Sequence, residues 1–260
     1  MPANLKIKIG CSQEELVEAL KLRYQVFYRE IKGEEPTASD NGIDRDEFDE
    51  FCEHLIVVDN DKDAVIGTYR MLLDSAARKG IGFYSSTKFD LTNFGRLEGG
   101  RMLEVGRSCV HKDYRHGYVL NLLWEGVAKY SMANQVRYIF GSSSLMTLDQ
   151  DAVNRNFAMF KALGLFVDMG IDPVDEAHRV PVDETVTVEN PRELYDLLPT
   201  IFKGYMQIGL KVCGYPAKGD FNTALFPVLL DLKQVHKIYR RRFLGNYLLE
   251  EETATPSQPH

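Results

Sequence analysis

The chain has no surplus of positive charge: 31 lysines and arginines face 38 aspartates and glutamates over 260 residues, a formal net charge of −7. Without excess cations to neutralise phosphates, a general nucleic-acid-binding role is excluded. The four cysteines, Cys11, Cys52, Cys109 and Cys213, include no C-x-x-C pair. That spacing offers neither a zinc site nor a disulfide framework, so no metal is expected and a reducing cytosol is. No run of about 18 apolar residues exists to span a membrane, and the N-terminus lacks an apolar signal core, so the protein is expected to be soluble and cytoplasmic. Nor is there an internal repeat or a clear linker. With 44% apolar residues the chain can bury a real core. A single domain over residues 1–250 is expected, followed by a disordered Pro/Thr/Ser/Gln tail at 251–260.

What is present alternates strand and helix. Leu5, Ile7 and Ile9 alternate with lysines, the period of a half-buried strand, and Ser12 with Glu15 forms a capping box opening a helix toward Arg29. Residues 34–53 carry nine carboxylates against the single base Arg45, a composition typical of a solvated face. Within them Asp44, Asp46, Phe48, Asp49 and Phe51 interleave acids with aromatics, out of register for an EF-hand. Runs at 54–59 and 65–73 read as a hairpin, and 74–100 as a long, weakly patterned segment of the kind that forms lids or binding loops. Strands follow at 103–111 and 136–142 around a helix at 119–132, implying local parallel pairing within a mixed sheet. Further on, the stretch 154–166 reads as a helix ending at Gly164, and 180–190 as a β-like run. A helix from Pro191 then continues, or restarts at Pro199, through Met206. A buried strand at 221–232 precedes a basic helix at 233–243.

The stretch LEVGRSCVHKDYRHGYVLNLLW, Leu103 to Trp124, is the organising element. A strand that feeds a turn, whose amides open a helix, is a ready cradle for a phosphate. Its spacing resembles the R-x-x-G-x-G/A donor motif of the GNAT acyltransferase superfamily. Arg115 fits the first position, but Tyr118 and Leu120 stand where small residues belong, and Gly117 takes part of that role. Side chains there obstruct the close backbone approach that a coenzyme A pyrophosphate needs.

Other positions sharpen the resemblance. Arg23 and Phe27 in L-R-Y-Q-V-F, Asp46 and Asp49, Arg70 in T-Y-R-M-L-L, E-V-G-R around Glu104 and Arg107, and F-K-G-Y-M-Q-I-G-L-K-V-C-G-Y-P-A at 202–217 occur in order. Together, over residues 22–232, they are similar to the N-acyl amino acid synthases and ornithine lipid N-acyltransferases, relatives of the acyl-homoserine-lactone synthases. The resemblance implies an α/β GNAT fold with a mixed central β-sheet flanked by helices. It implies transfer of a long-chain, even 3-hydroxy, acyl group to the α-amine of an amino acid such as ornithine. No cofactor would be held permanently. The co-substrate would be acyl-phosphopantetheine on acyl carrier protein, or acyl-CoA.

On this reading Glu104 is the general base, through a water, with Arg107 beside it; the alternative is a structural pairing of Glu104 with Arg107 or Arg70. Arg23, Arg70 and Arg107 either converge on the acceptor carboxylate, with Phe27, Asp46 and Asp49 on the same side, or form an internal network with those acids. Main-chain amides of Val110 and His111 would polarise the acyl carbonyl, and Arg115, His116, Gly117 and Tyr118 would meet the donor. Ser142, Ser143, Ser144 and Asp149 are lining residues at best. Cys109 is expected to be buried rather than nucleophilic. The tyrosine that many GNAT enzymes place four residues before a Gly-Phe pair is Phe160 here. An acidic carrier protein would need a basic landing patch: Lys112, Arg115 and His116, or Lys237, Arg240, Arg241 and Arg242, the latter also suited to peripheral contact with the inner membrane face. An acetyl-CoA-dependent acetyltransferase of a small amine, a lactone synthase using S-adenosylmethionine, and a non-catalytic binding module are the rival readings.

Overall fold

The computed structural model describes residues 4–35, 41–235 and 239. The expected N-terminal strand is β1 (Leu5–Ile9), followed by helix α1 (Gln13–Tyr24). Its capping box is complete: the Glu15 amide donates to the Ser12 hydroxyl, and the Glu15 carboxylate accepts from the Ser12 amide. The helix does not run on as an α-helix to Arg29 but widens into a π-helical stretch, Gln25–Lys32, stopped by Gly33 in the left-handed region. π-Turns of this kind gather at functional sites because they re-aim side chains.

The hairpin β2 (Glu53–Asp59) and β3 (Ala64–Leu73) follows, then a single turn α2 (Asp74–Ala77), β4 (Arg101–Val110), α3 (Tyr118–Ala133) and β5 (Val136–Leu145). The chain continues through α4 (Gln150–Ala162), β6 (Phe166–Ile171), α5 (Pro191–Leu197), α6 (Thr200–Ile208), β7 (Lys211–Gly214), β8 (Ala217–Lys218) and β9 (Ala224–Asp231). One mixed sheet runs β1-β2-β3-β4-β5-β9-β7-β6, with β8 paired to β9. β4–β5 and β6–β7 are parallel and the other pairs antiparallel.

The β4–β5 pair decides where a site can form. Its rungs run from Arg101 opposite Val136 to Glu104 opposite Phe140 and stop. Beyond that point β4 stays with β3, and β5 stays with β9. Gly141 sits at the apex; a β-carbon there would lie 2.4 Å from the Val105 carbonyl oxygen, so only glycine permits this approach. On one face α3, α4 and α6 cover a core of Leu103, Leu123, Phe157, Phe160, Phe202 and Phe226. On the other, Phe89, Phe94, Tyr138, Phe140 and Ile171 form a second core.

Several expectations are corrected. Residues 74–100 are not an open lid: α2 and two 3-10 turns fold them down, and Phe83 and Phe94 pack edge-on against Phe140. Residues 180–190 form no strand. The Val180 amide donates to the Pro216 carbonyl, and Asp183 then accepts from the Thr185 amide and hydroxyl, a local turn that competes with any ladder. The helix expected at 154 begins at Gln150, with the Asp149 carboxylate capping the Ala152 amide. β6 and β7 are strands that the periodicity did not announce. After a 3-10 turn at Leu232–Gln234, the expected basic helix, with Lys237, Arg240, Arg241 and Arg242, and the tail lie outside the described residues, Tyr239 apart. Among the described residues no helix is long and apolar enough to cross a membrane.

Candidate active site

Where β4 and β5 part, a cavity of about 650 Å³ passes through the sheet, a size within the usual range for small-molecule sites. One side is a polar chamber bordered by Phe27, Phe48, Arg70, Tyr84, Glu104 and Arg107. The other is an apolar arm walled by Trp124, Val127, Ile139, Tyr205, Ile208 and Leu230. The two meet at Val105–Val110 and Gly141–Ser144, the diverging halves of the two strands.

Glu104 is buried at this junction. Its carboxylate pairs with neither arginine: Oε2 accepts from the Tyr84 amide at 2.8 Å and Oε1 from the Ser85 amide at 2.6 Å. Burial raises its pKa, and the Ser85 and Tyr84 hydrogen bonds and the Arg70 charge only partly oppose that rise. The segment expected to be a loose loop therefore fixes this side chain.

Arg107 stands three residues on, with φ +50°. The β3–β4 register slips between Thr68/Cys109 and Arg70/Gly106, so Arg107 lies in a bulge. A left-handed non-glycine residue inside a strand is strained, and the bulge turns its guanidinium into the chamber, over the Tyr84 ring at 5.4 Å. Burial alone would lower the Arg107 pKa, but Asp44 holds it up.

Residues 44–49 of the acidic run fold inward. Arg23, 1% exposed, donates to Asp44 at 2.9 Å and to Asp49 at 2.7 Å and 3.3 Å. Arg70 donates to Asp46 at 2.5 Å and to Asp49 at 3.1 Å, and Arg107 reaches Asp46 at 3.4 Å. Burial would raise the Asp49 carboxyl, yet the Arg23 hydrogen bond and the Arg23 and Arg70 charges hold it down at about 2. Arg23, Asp46 and Asp49 do not border the cavity, whereas Phe27, Arg70 and Arg107 do. The network thus aims two arginines at the chamber. Asp44, seen in the sequence pattern but given no role, is its third anion.

The donor turn is only partly as expected. Val110, Arg115 and Gly117 border the cavity; His111, His116 and Tyr118 do not, and Tyr118 is 62% exposed. The His111 amide donates to the Ile66 carbonyl at 2.8 Å and is not free to polarise anything. By strand alternation the Val110 amide then points away from β3, toward the parting. The His111 ring accepts from the Asp113 amide, and Tyr114 packs against it edge-on. Arg115 donates to the Val110 carbonyl at 2.9 Å and to Glu30 at 2.6 Å. Gly117, φ +85°, opens α3.

Ser142, Ser143 and Ser144 line the cavity, and Asp149 does not. Burial pushes the Cys109 thiol up to about 12, so it supplies no thiolate. Phe160 is fully buried against Phe202 and Phe226. Tyr84, Phe48, Asp220 and Phe221 also border the chamber. Tyr84 and Asp220, hydrogen-bonded at 2.9 Å, are 136 positions apart, and no local motif announces them.

Comparison with known proteins agrees with this architecture. Residues 22–125 match an acetyltransferase (GNAT) domain. The chain is 31% identical to the L-ornithine Nα-acyltransferase of Rhodobacter capsulatus, over 94% of this chain and 98% of that one. It is 30% identical to the protein of the same name from Rhizobium meliloti, over 81% and 74%. Among solved structures, the AHL synthase LasI and FeeM, an N-acyl amino acid synthase from uncultured soil microbes, share its fold with a TM-score of 0.51 each at 12% identity. Each covers 94% of this chain, and 96% and 98% of LasI and FeeM are matched respectively. Identity at this level along nearly the full length of both chains shows the family: this chain is an acyltransferase and belongs to the L-ornithine Nα-acyltransferases, built on the GNAT fold.

Proposed function

We propose that the chain transfers a long-chain acyl group, 3-hydroxyacyl included, from the phosphopantetheine thioester of acyl carrier protein to the α-amine of ornithine. The product is an N-acyl amino acid, a lyso-aminolipid. The observation that carries this reading is the division of one cavity into an arginine-lined chamber and an apolar arm, joined where β4 and β5 part. An amino acid is a small dipolar ion suited to the first, and a fatty chain to the second. The named activity of the relatives supports ornithine as acceptor.

The chemistry follows from the residues at the junction. Arg107 and Arg70 face the acceptor carboxylate, for which a guanidinium fork is suited. An unshifted glutamate lies roughly 3 to 4 units below an amino-acid amine, so the raised pKa of Glu104 narrows the gap for proton removal through a water. The freed nitrogen attacks the thioester carbon. The oxygen that gains charge lies against the Val110 amide, and the C–S bond breaks. The thiol departs with a pKa of about 8.5, so its thiolate leaves without a dedicated acid, consistent with Phe160 in place of a tyrosine. Carrier protein is favoured over CoA because Leu120, standing where a small residue would open the turn after Arg115, borders the cavity. A single phosphate needs less of that turn than a pyrophosphate.

The test is thiol release and product mass for acyl carrier protein and CoA thioesters against an amino-acid panel. N-acylornithine from the long-chain carrier thioester is the expected product. Acetylation of a small amine from acetyl-CoA alone, or acylation of S-adenosylmethionine, would overturn the reading.

A further inference from the structure

We infer that Asp220 reads the side-chain ammonium of a diamino-acid acceptor whose α-amine lies at Glu104. The inference rests on the acceptor class proposed above and goes further by assigning the residue that selects within it.

Tyr84 is the frame. Its amide donates to Glu104, and at its other end its hydroxyl donates to Asp220 Oδ2 at 2.9 Å. Between these ends the ring lies beneath Arg70 and Arg107, at 5.3 Å and 5.4 Å. Two carboxylates are thus separated by the length of one tyrosine, with two guanidiniums along the way, and all five residues border the cavity. An α,ω-diamino acid carries the complementary pattern: an amine, a carboxylate beside it and a second amine a few methylenes away. Phe221 continues the wall next to Asp220 and stacks on Phe27 at 5.7 Å, leaving an apolar surface for those methylenes.

Lys88 holds Asp220 Oδ1 at 3.1 Å, so Oδ2, on the Tyr84 side, is the oxygen turned to the acceptor.

The experiment compares ornithine with norvaline, which has the same carbon chain without the terminal amine, in the parent, Asp220→Asn and Lys88→Met. Asp220 is partly exposed and Asparagine is isosteric, and melting temperatures establish that each variant is folded. The parent is expected to prefer ornithine, and Asp220→Asn to cut the ornithine-to-norvaline ratio of kcat/KM by about tenfold to a hundredfold. The loss should fall on the ornithine KM and leave norvaline unchanged. Lys88→Met should keep or raise the ratio. An Asp220→Asn enzyme with the parent's ratio, or a Lys88→Met enzyme whose ratio collapses equally, overturns the assignment. A parent that acylates neither amino acid overturns the proposed acceptor class as well.

Discussion

Glu104 faces Phe140 across the last rung that joins β4 to β5, and the cavity opens at the next residue along. The proposed base is thereby fixed at the fork itself, held by the Tyr84 and Ser85 amides rather than by a flexible side-chain partner.

Because burial raises the Glu104 pKa, the acid limb of kcat against pH should have its midpoint above the ordinary glutamate value of about 4.3. The base works only when ionised, so activity rises with pH through this pKa. Glu104→Gln should lose that limb. A limb that persists unchanged in the variant would assign it to another group.

Arg107 separates charge from backbone strain. Arg107→Ala removes the guanidinium and keeps a side chain at φ +50°; Arg107→Gly removes both. Both should raise the amino-acid KM at least tenfold, while the glycine variant should be about 1 kcal/mol the more stable in urea unfolding. Equal stability of the two would mean that the bulge stores no strain.

Asp49 should act on stability. Its pKa of about 2 lies below the unfolded value of about 3.9, so it stabilises the fold above about pH 4 and loses that contribution as pH falls toward 2. The shift corresponds to about 2 kcal/mol. The stability gap between the parent and Asp49→Asn should therefore narrow below about pH 4. A gap constant across that window would contradict the Arg23–Asp49–Arg70 assignment.

The apolar arm should set chain length. Ile208 borders it on α6, and Ile208→Trp should shift preference toward shorter acyl thioesters, since one methylene in an apolar pocket is worth about 1–3 kcal/mol. An unchanged chain-length profile would place the acyl group elsewhere.

Much of this was legible in the residues because it is local. The Ser12/Glu15 capping box, the β2–β3 hairpin and the strand-turn-helix from Leu103 to Trp124 are short-range patterns, and each forms where expected. Glu104 stands out as a candidate base through the family resemblance together with its place in an apolar strand, but its partners, two amides in 74–100, have no pattern to betray them. That segment looked loose because it carries no period, yet Phe83 and Phe94 anchor it on Phe140, a long-range contact. The acidic run at 34–53 read as a solvated face by composition. Three arginines distant in sequence reverse that for Asp44, Asp46 and Asp49 while Arg45, Glu47 and Glu50 stay exposed. The His111 amide is spent on Ile66 because strand pairing decides which amides stay free, and register is invisible in one sequence.

The most direct test is single-turnover acyl transfer to ornithine by the parent and Glu104→Gln, with the long-chain carrier thioester bound. If the amine is readied at the fork, the variant should fold and bind donor as the parent does, while the rate falls by about 10²–10⁴. A variant that binds donor and transfers at the parent's rate would contradict it.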